Sequence, residues 1–213
     1  MRAREKLLFT LNEAAVLTHL PLKVVHNAVD KRIVTPVSGE RAGHATRLLD
    51  SRALLFLALE SRLTRRFGPE TRRDVFEALA TNTRSRDTVL LDDGFLTIDL
   101  REPRRELARA MRQLRRARAL VHGDPGIMGG DPVFRGTRVP VHGVADMLHL
   151  GDGENDLLES YPSLTAEMIR LAPVYAAAYP LRGRPRVRPW RDTPPVRSGS
   201  RPVSDYDRVA GGS

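Results

Sequence analysis

The chain has 213 residues, 41% hydrophobic and 29% charged, no cysteine, a formal net charge of +9 and a pI near 10.8. That length holds one large domain or two small ones, and the missing cysteine excludes disulfides, thiolate zinc sites and a cysteine nucleophile. The longest apolar run, Ala53 to Leu59, is too short to span a bilayer and Met1-Arg2-Ala3-Arg4-Glu5 leads into no signal-peptide core, so a cytoplasmic protein with a polyanionic partner is expected.

Four segments follow one another without internal repeat. In the first, residues 1–80, Thr10 and Glu13 are spaced as a capping box, so a short helix is expected over Leu11–Thr18. His19-Leu20-Pro21 breaks it, with proline at the first position of a second helix that runs to about Arg32. Leu22, Val25 and Val29 then share an inward face, while Lys23, His26, Asn27 and Asp30 point outward, with Lys31 and Arg32 at the end. Two short helices joined by a tight turn are the helix-turn-helix pattern. β-prone pieces around Pro36, Gly39 and Gly43 read as a wing that carries Arg41, His44 and Arg47. Asn can read adenine in the major groove and Lys can contact guanine or phosphate, while wing arginines suit phosphate or the minor groove. The DNA-binding candidates are thus Lys23, His26, Asn27, Lys31, Arg32, Arg41 and Arg47. An ordinary helical hairpin with a solvated face fits the same pattern; the wing and the positive charge favour DNA. Apolar helices are expected over Ser51–Leu63 and Glu70–Ala80.

The second segment, 81–121, opens with a polar loop. Two β-prone runs flank Asp92-Asp93-Gly94 as a hairpin, and a helix over Pro103–Val121 follows. Leu107, Met111 and Leu114 form its apolar stripe; Arg105, Arg109, Arg112 and Arg116 line another face. That face is either a phosphate-tracking surface or a solvated charge run, and repulsion at i,i+4 spacing favours an anionic partner. The third segment, 122–180, starts glycine- and proline-rich and continues as helices over Val141–Leu150, Glu154–Tyr161 and Thr165–Tyr179, the last N-capped by Thr165. The fourth, 181–213, holds eight arginines and three aspartates among prolines, glycines and serines and is expected to be disordered alone.

The block Gly129-Gly130-Asp131-Pro132-Val133-Phe134-Arg135-Gly136-Thr137-Arg138-Val139-Pro140-Val141, followed by Tyr161-Pro162-Ser163-Leu164 and Val174-Tyr175-Ala176-Ala177, closely resembles the DUF433 family over about 122–179. That resemblance implies a small antitoxin-like domain with helix-turn-helix character. Gly136 is expected at positive φ and Pro140 at a helix entry; Arg135 and Arg138 flank the turn and either contact phosphate or anchor the turn to a carboxylate, the structural role being favoured. Pro173 departs from the family's uninterrupted helix and is expected to kink or shorten it, which bears on Tyr175. The whole chain also resembles the longer VapB-type antitoxins. In those, a C-terminal segment wraps a PIN-domain ribonuclease; the corresponding candidates are Arg182, Arg184, Arg186, Arg188, Trp190 and Arg191. A tail without a specific partner, or one that binds DNA nonspecifically, fits the same composition.

Enzyme signatures are missing from the sequence: the histidines lack zinc-ligand spacing, Gly129-Gly130 precedes no Gly-Lys-Ser/Thr, and no Gly-x-Ser-x-Gly elbow occurs. No cofactor or metal is expected. The resulting expectation is a mainly α-helical protein: a helix-turn-helix/winged-helix-like domain, a hairpin plus long helix, a small helical domain and a disordered basic tail. Its expected role is an antitoxin of a type II toxin–antitoxin system, a homodimer that binds operator DNA, represses its own promoter and neutralises a PIN-domain ribonuclease. A stand-alone regulator without a toxin is the alternative; a nuclease is the rival from another class.

Overall fold

Thr10 and Glu13 form the capping box that their spacing predicts. Glu13 N–H donates to Thr10 Oγ1 (3.2 Å) and Thr10 N–H donates to Glu13 Oε2 (2.8 Å), and helix α1 (Leu11–Thr18) starts there. The computed structural model describes residues 7–41, 44–81, 87–123 and 130–181, with only the backbone of Arg41 and His44. All of these lie in one compact unit, Met1–Leu181.

Strand β1 (Leu8–Thr10) precedes α1, and α2 (Leu22–Asp30) follows it. Strands β2 (Val37–Arg41) and β3 (His44–Asp50) pair antiparallel, Val37 opposite Leu48 and Arg41 opposite His44, and β1 adds to the other edge of β3. Gly39 in β2 leaves the room that buried Leu48 occupies, since a Cβ there would meet Leu48 Cδ1 at 2.5 Å. Asp50 caps α3 (Ser51–Leu63) by accepting from Ala53 N–H, and α4 (Pro69–Thr81) packs against it. Strands β4 (Thr88–Leu91) and β5 (Leu96–Asp99) form the expected hairpin, displaced by one residue. Asp92, Asp93 and Gly94 all take positive φ, which places Phe95 in the turn rather than in the strand. Helix α5 (Arg101–Ala119) ends before β6 (Val121–His122), which pairs with β7 (Val133–Phe134). Helices α6 (Val141–His149), α7 (Glu154–Ser160) and α8 (Ala166–Ala178) complete the described chain. The fold is mainly helical, with small sheets, and none of its described helices is long and apolar enough to cross a membrane.

Two apolar clusters form. The front one joins Leu17, Val25, Ile33, Leu49, Leu54, Phe56 and Phe76 with Leu107 and Leu114 of α5. Phe56 and Phe76 meet edge to face, centroids 5.7 Å apart, with the Arg52 guanidinium 4.1 Å above the Phe76 ring. The rear cluster joins Val121, Phe134, Val141, Val144, Leu157, Leu164 and Ile169. Helix α8 serves both: Ile169 and Ala172 sit in the rear cluster, Val174 and Ala178 in the front one. That explains Pro173, which neither shortens nor interrupts α8. Proline removes one backbone donor at this exposed position, and packing on α1, α5 and α6 holds the helix across it.

A buried polar contact joins α1 to the residue that follows α8. Glu13 is 3% exposed, and its Oε1 accepts from the Tyr179 hydroxyl at 2.7 Å. The Tyr179 ring leans on Tyr175 (4.9 Å) and lies 5.7 Å from the Arg118 guanidinium, and its carbonyl accepts from His142 Nε2 at 2.8 Å. Burial, then the hydrogen bond to Glu13, pushes the Tyr179 phenol well above its usual value; burial raises Tyr175 as well. Tyr179→Phe leaves a buried carboxylate oxygen without its donor and is expected to cost about 1.5–3 kcal/mol in urea unfolding. A raised folded value means the contribution is intact below the unfolded phenol value of about 10 and is lost as pH rises through the folded value. The stability of the parent should therefore fall above pH ~10 more steeply than that of the Phe variant. Equal slopes and a cost under ~0.5 kcal/mol would show the contact to be idle.

A second buried pair lies in the front cluster, where Arg72 of α4 meets Glu60 of α3. Thr64 Oγ1 donates to the same Glu60 oxygen at 3.0 Å. Removing one partner strands a charge, so Arg72→Met should cost about 3–5 kcal/mol, while the double change Glu60→Leu/Arg72→Met should recover most of it. Unfolding midpoints of the three proteins measure this directly.

Candidate nucleic-acid interface

The turn between α1 and α2 is built without glycine. His19 takes the left-handed conformation (φ 54°), with His19 N–H bonded to Val16 O and Leu20 N–H to Ala15 O, and Pro21 becomes the N-cap of α2 rather than its first helical residue. Helix α2 closes in the same way one element later. Arg32 is left-handed (φ 54°), Arg32 N–H donates to Val29 O (2.9 Å) and Ile33 N–H to Ala28 O (3.0 Å), the paired bonds of a Schellman stop. Ile33 and Val34, both buried, then anchor the chain as it turns into β2.

Val25, Ala28 and Val29 bury the inner face of α2. Leu22, expected inward, is 39% exposed; it stands at the first turn on the edge of the buried sector, where neighbours cover only part of it. Lys23, Asn27, Asp30, Lys31 and Arg32 are exposed, and His26 is half-buried. Among the described residues Lys23, Lys31 and Arg32 form no ion pair. Arg47 of β3 is engaged: its Nη1 lies 2.7 Å from Asp30 Oδ1 and its Nη2 lies 3.5 Å from His26 Nδ1. The β2–β3 hairpin is thereby fastened to the outer face of α2, through an exposed pair that water and salt weaken. Arg41 ends β2, opposite His44. Arg182, Arg184, Arg186, Arg188, Trp190 and Arg191 lie outside the described residues.

Helix α5 presents its charges as its periodicity predicts. Arg105, Arg109, Arg112 and Arg116 are exposed, opposite the buried Leu107, Ala110, Leu114 and Ala117, and Met111 is half-buried. Arg116 pairs with Glu167 at 2.6 Å. At the start of the helix, Arg101 donates to both Asp99 oxygens and, with its own backbone N–H, holds that carboxyl down at about 2.

The glycine-rich block behaves structurally. Gly136 takes φ 75°, Thr137 N–H bonds to Phe134 O (3.0 Å), and Pro140 (φ −68°) is the N-cap of α6. Arg135 donates from Nε to Ala119 O at 2.8 Å, which satisfies a carbonyl at the end of α5. Arg138 is exposed and, with His122, Thr137 and Ser163, lines an open cleft of about 480 Å³. Sequence reasoning missed Tyr179, Glu13 and His142 as a group.

Residues 121–176 match the model of DUF433, a protein family of unknown function. The chain is 38% identical over 207 residues to "Uncharacterized protein y4eO" of Sinorhizobium fredii, covering 93% of this chain and 91% of that protein. The X-ray crystal structure of Rv2018 from Mycobacterium tuberculosis aligns over 81% of this chain and 99% of that one, at 16% identity and a TM-score of 0.33. The chain therefore belongs to the family of y4eO, and residues 121–176 are its DUF433 domain.

Proposed function

We propose that this protein is the antidote half of a type II toxin–antitoxin pair, a cytoplasmic homodimer that binds its own operator and neutralises a PIN-domain ribonuclease. The observation that carries the DNA half is the exposed polar face of α2, set between a tight turn and the β2–β3 hairpin. In this reading α1 and α2 are a helix-turn-helix and the hairpin is its wing. Lys23 and Asn27 face the base edges, Asn27 being able to bond adenine bidentately. Lys31 and Arg32 meet phosphates, and Arg47 positions the wing through Asp30. A palindromic operator calls for two copies. The toxin half rests on the resemblance to VapB-type antitoxins and on the basic tail, whose guanidinium groups match a carboxylate-lined site.

Arg32 supports the reading independently. A left-handed residue is usually glycine, and arginine there costs roughly 1 kcal/mol. Arg32→Gly is expected to raise stability by about that amount while weakening binding to the DNA upstream of the gene. Asn27→Ala should reduce discrimination between that DNA and random duplex by about 1–3 kcal/mol in competition binding. Unchanged DNA affinity in the glycine variant, or unchanged discrimination in the alanine variant, would remove these residues from the interface.

The toxin half is tested by growth of a bacterial host that expresses the neighbouring gene. Co-expression of the full chain is expected to restore growth, and the chain ended at Leu181 is not. A harmless neighbour, or equal rescue by the shortened chain, overturns the pairing or the role of the tail respectively.

A further inference from the structure

We infer that the outward face of α5 is a second DNA-binding surface, one that grips the phosphate backbone of a duplex without reading its sequence. The inference rests on the reading that the front helices bind duplex DNA, and it adds a surface that the helix-turn-helix does not include. Arg105, Arg109, Arg112 and Arg116 follow one another at i, i+4, i+7 and i+11, which places four guanidinium groups along roughly 16 Å of helix. The stripe points directly away from buried Leu107, Ala110, Leu114 and Ala117, so the packing that fixes α5 also fixes where the charges face.

The fold leaves the middle of this stripe uncompensated. Arg116 is paired to Glu167, and Arg105 feels Asp99. Arg109 and Arg112, with exposed Arg115 beside them, have no acidic partner among the described residues, and neither Glu102 nor Glu106 bonds to them. Like charges at this spacing repel. A rigid, single-sign row suits a polymer that offers an anion at every step along its strand whatever its bases. An acidic protein would instead need carboxylates matched to this one helix. Arginine is also suited to the task, because its planar fork can bond two phosphate oxygens at once.

The test is fluorescence anisotropy with two labelled duplexes of equal length, the DNA upstream of the gene and a random sequence, across a salt series. The full chain, Arg109→Ala/Arg112→Ala, Arg109→Lys/Arg112→Lys and Lys23→Ala/Asn27→Ala are compared. The alanine pair on α5 should weaken both duplexes by the same factor, about ten-fold near 0.1 M salt, and flatten the salt slope by about two units, with lysine restoring most of both. Its urea midpoint should equal or exceed the parent's, because removing repulsion does not unfold the helix. The Lys23/Asn27 pair should instead lose discrimination between the duplexes. If the parent binds DNA but the α5 alanine pair binds with the same affinity and slope, the stripe is not a DNA surface and the helix-turn-helix reading stands. If that pair keeps DNA binding but loses binding to poly-glutamate, the stripe serves an acidic protein and the inference is overturned. Binding of neither duplex by the parent overturns both readings.

Discussion

A carboxylate with almost no access to water has to be given hydrogen bonds, and in this fold that requirement falls on Glu13. One oxygen accepts from the Thr10 backbone and so defines where α1 begins; the other accepts from Tyr179, which lies 166 positions further along the chain. A local capping motif is thereby also a tertiary contact. The geometry of the first helix depends on the last turn of α8, and the position of α8 depends on α5 and α6, against which it packs. The carbonyl of Tyr179 is held by His142 at the start of α6, so α1 with its capping box, α6 and α8 meet at a single residue. Rigidity of this kind suits a surface such as the outer face of α2, whose side chains are useful only if the backbone beneath them is held in place.

Local rules made much of the fold legible. The capping box at Thr10, the N-cap at Thr165, the positive φ of Gly136 and the entry proline at Pro140 each depend on residues within a few positions of one another, and each is present. The exposed arginines of α5 followed from helical periodicity alone. What escaped the sequence was of two kinds. Tyr179 with Glu13, and Arg47 with Asp30, are long-range pairs, and no spacing rule connects such positions. His19 and Arg32 take a conformation for which glycine is the usual signal, so the left-handed stops of α1 and α2, though not the positions of their ends, were hidden behind ordinary side chains.

Pro173 is a different case, a local rule overruled. A proline at this depth in a helix costs about 3 kcal/mol from propensity alone. Helix α8 nevertheless buries Ile169 and Ala172 before it and Ala178 after it in two different clusters, and a break at Pro173 would forfeit one of them. At about 1.5–3 kcal/mol for each large apolar side chain, burial along the whole helix outweighs the penalty. Tyr175 and Tyr179 consequently stay on one face, in reach of His142 and Glu13.

The charge balance connects these points. A net charge of +9 says only that an anion is favoured somewhere; the fold decides where. Arg72 is spent inside the front cluster on Glu60, and Arg135 on the carbonyl of Ala119. Arg101 goes to Asp99, Arg104 to Asp87, Arg116 to Glu167 and Arg170 to Glu154, while Arg118 covers Tyr179. Subtracting these leaves, as exposed cations with no ion pair among the described residues, Lys23, Lys31 and Arg32 on and beside α2, Arg109, Arg112 and Arg115 on α5, Arg62, Arg65, Arg66 and Arg73 around the α3–α4 junction, and Arg138. Structural demands account for the paired arginines whatever the protein does. The unpaired ones raise the self-repulsion of the folded state, and on α5 they line one face of a single helix, which is the arrangement expected of a surface that meets an anion.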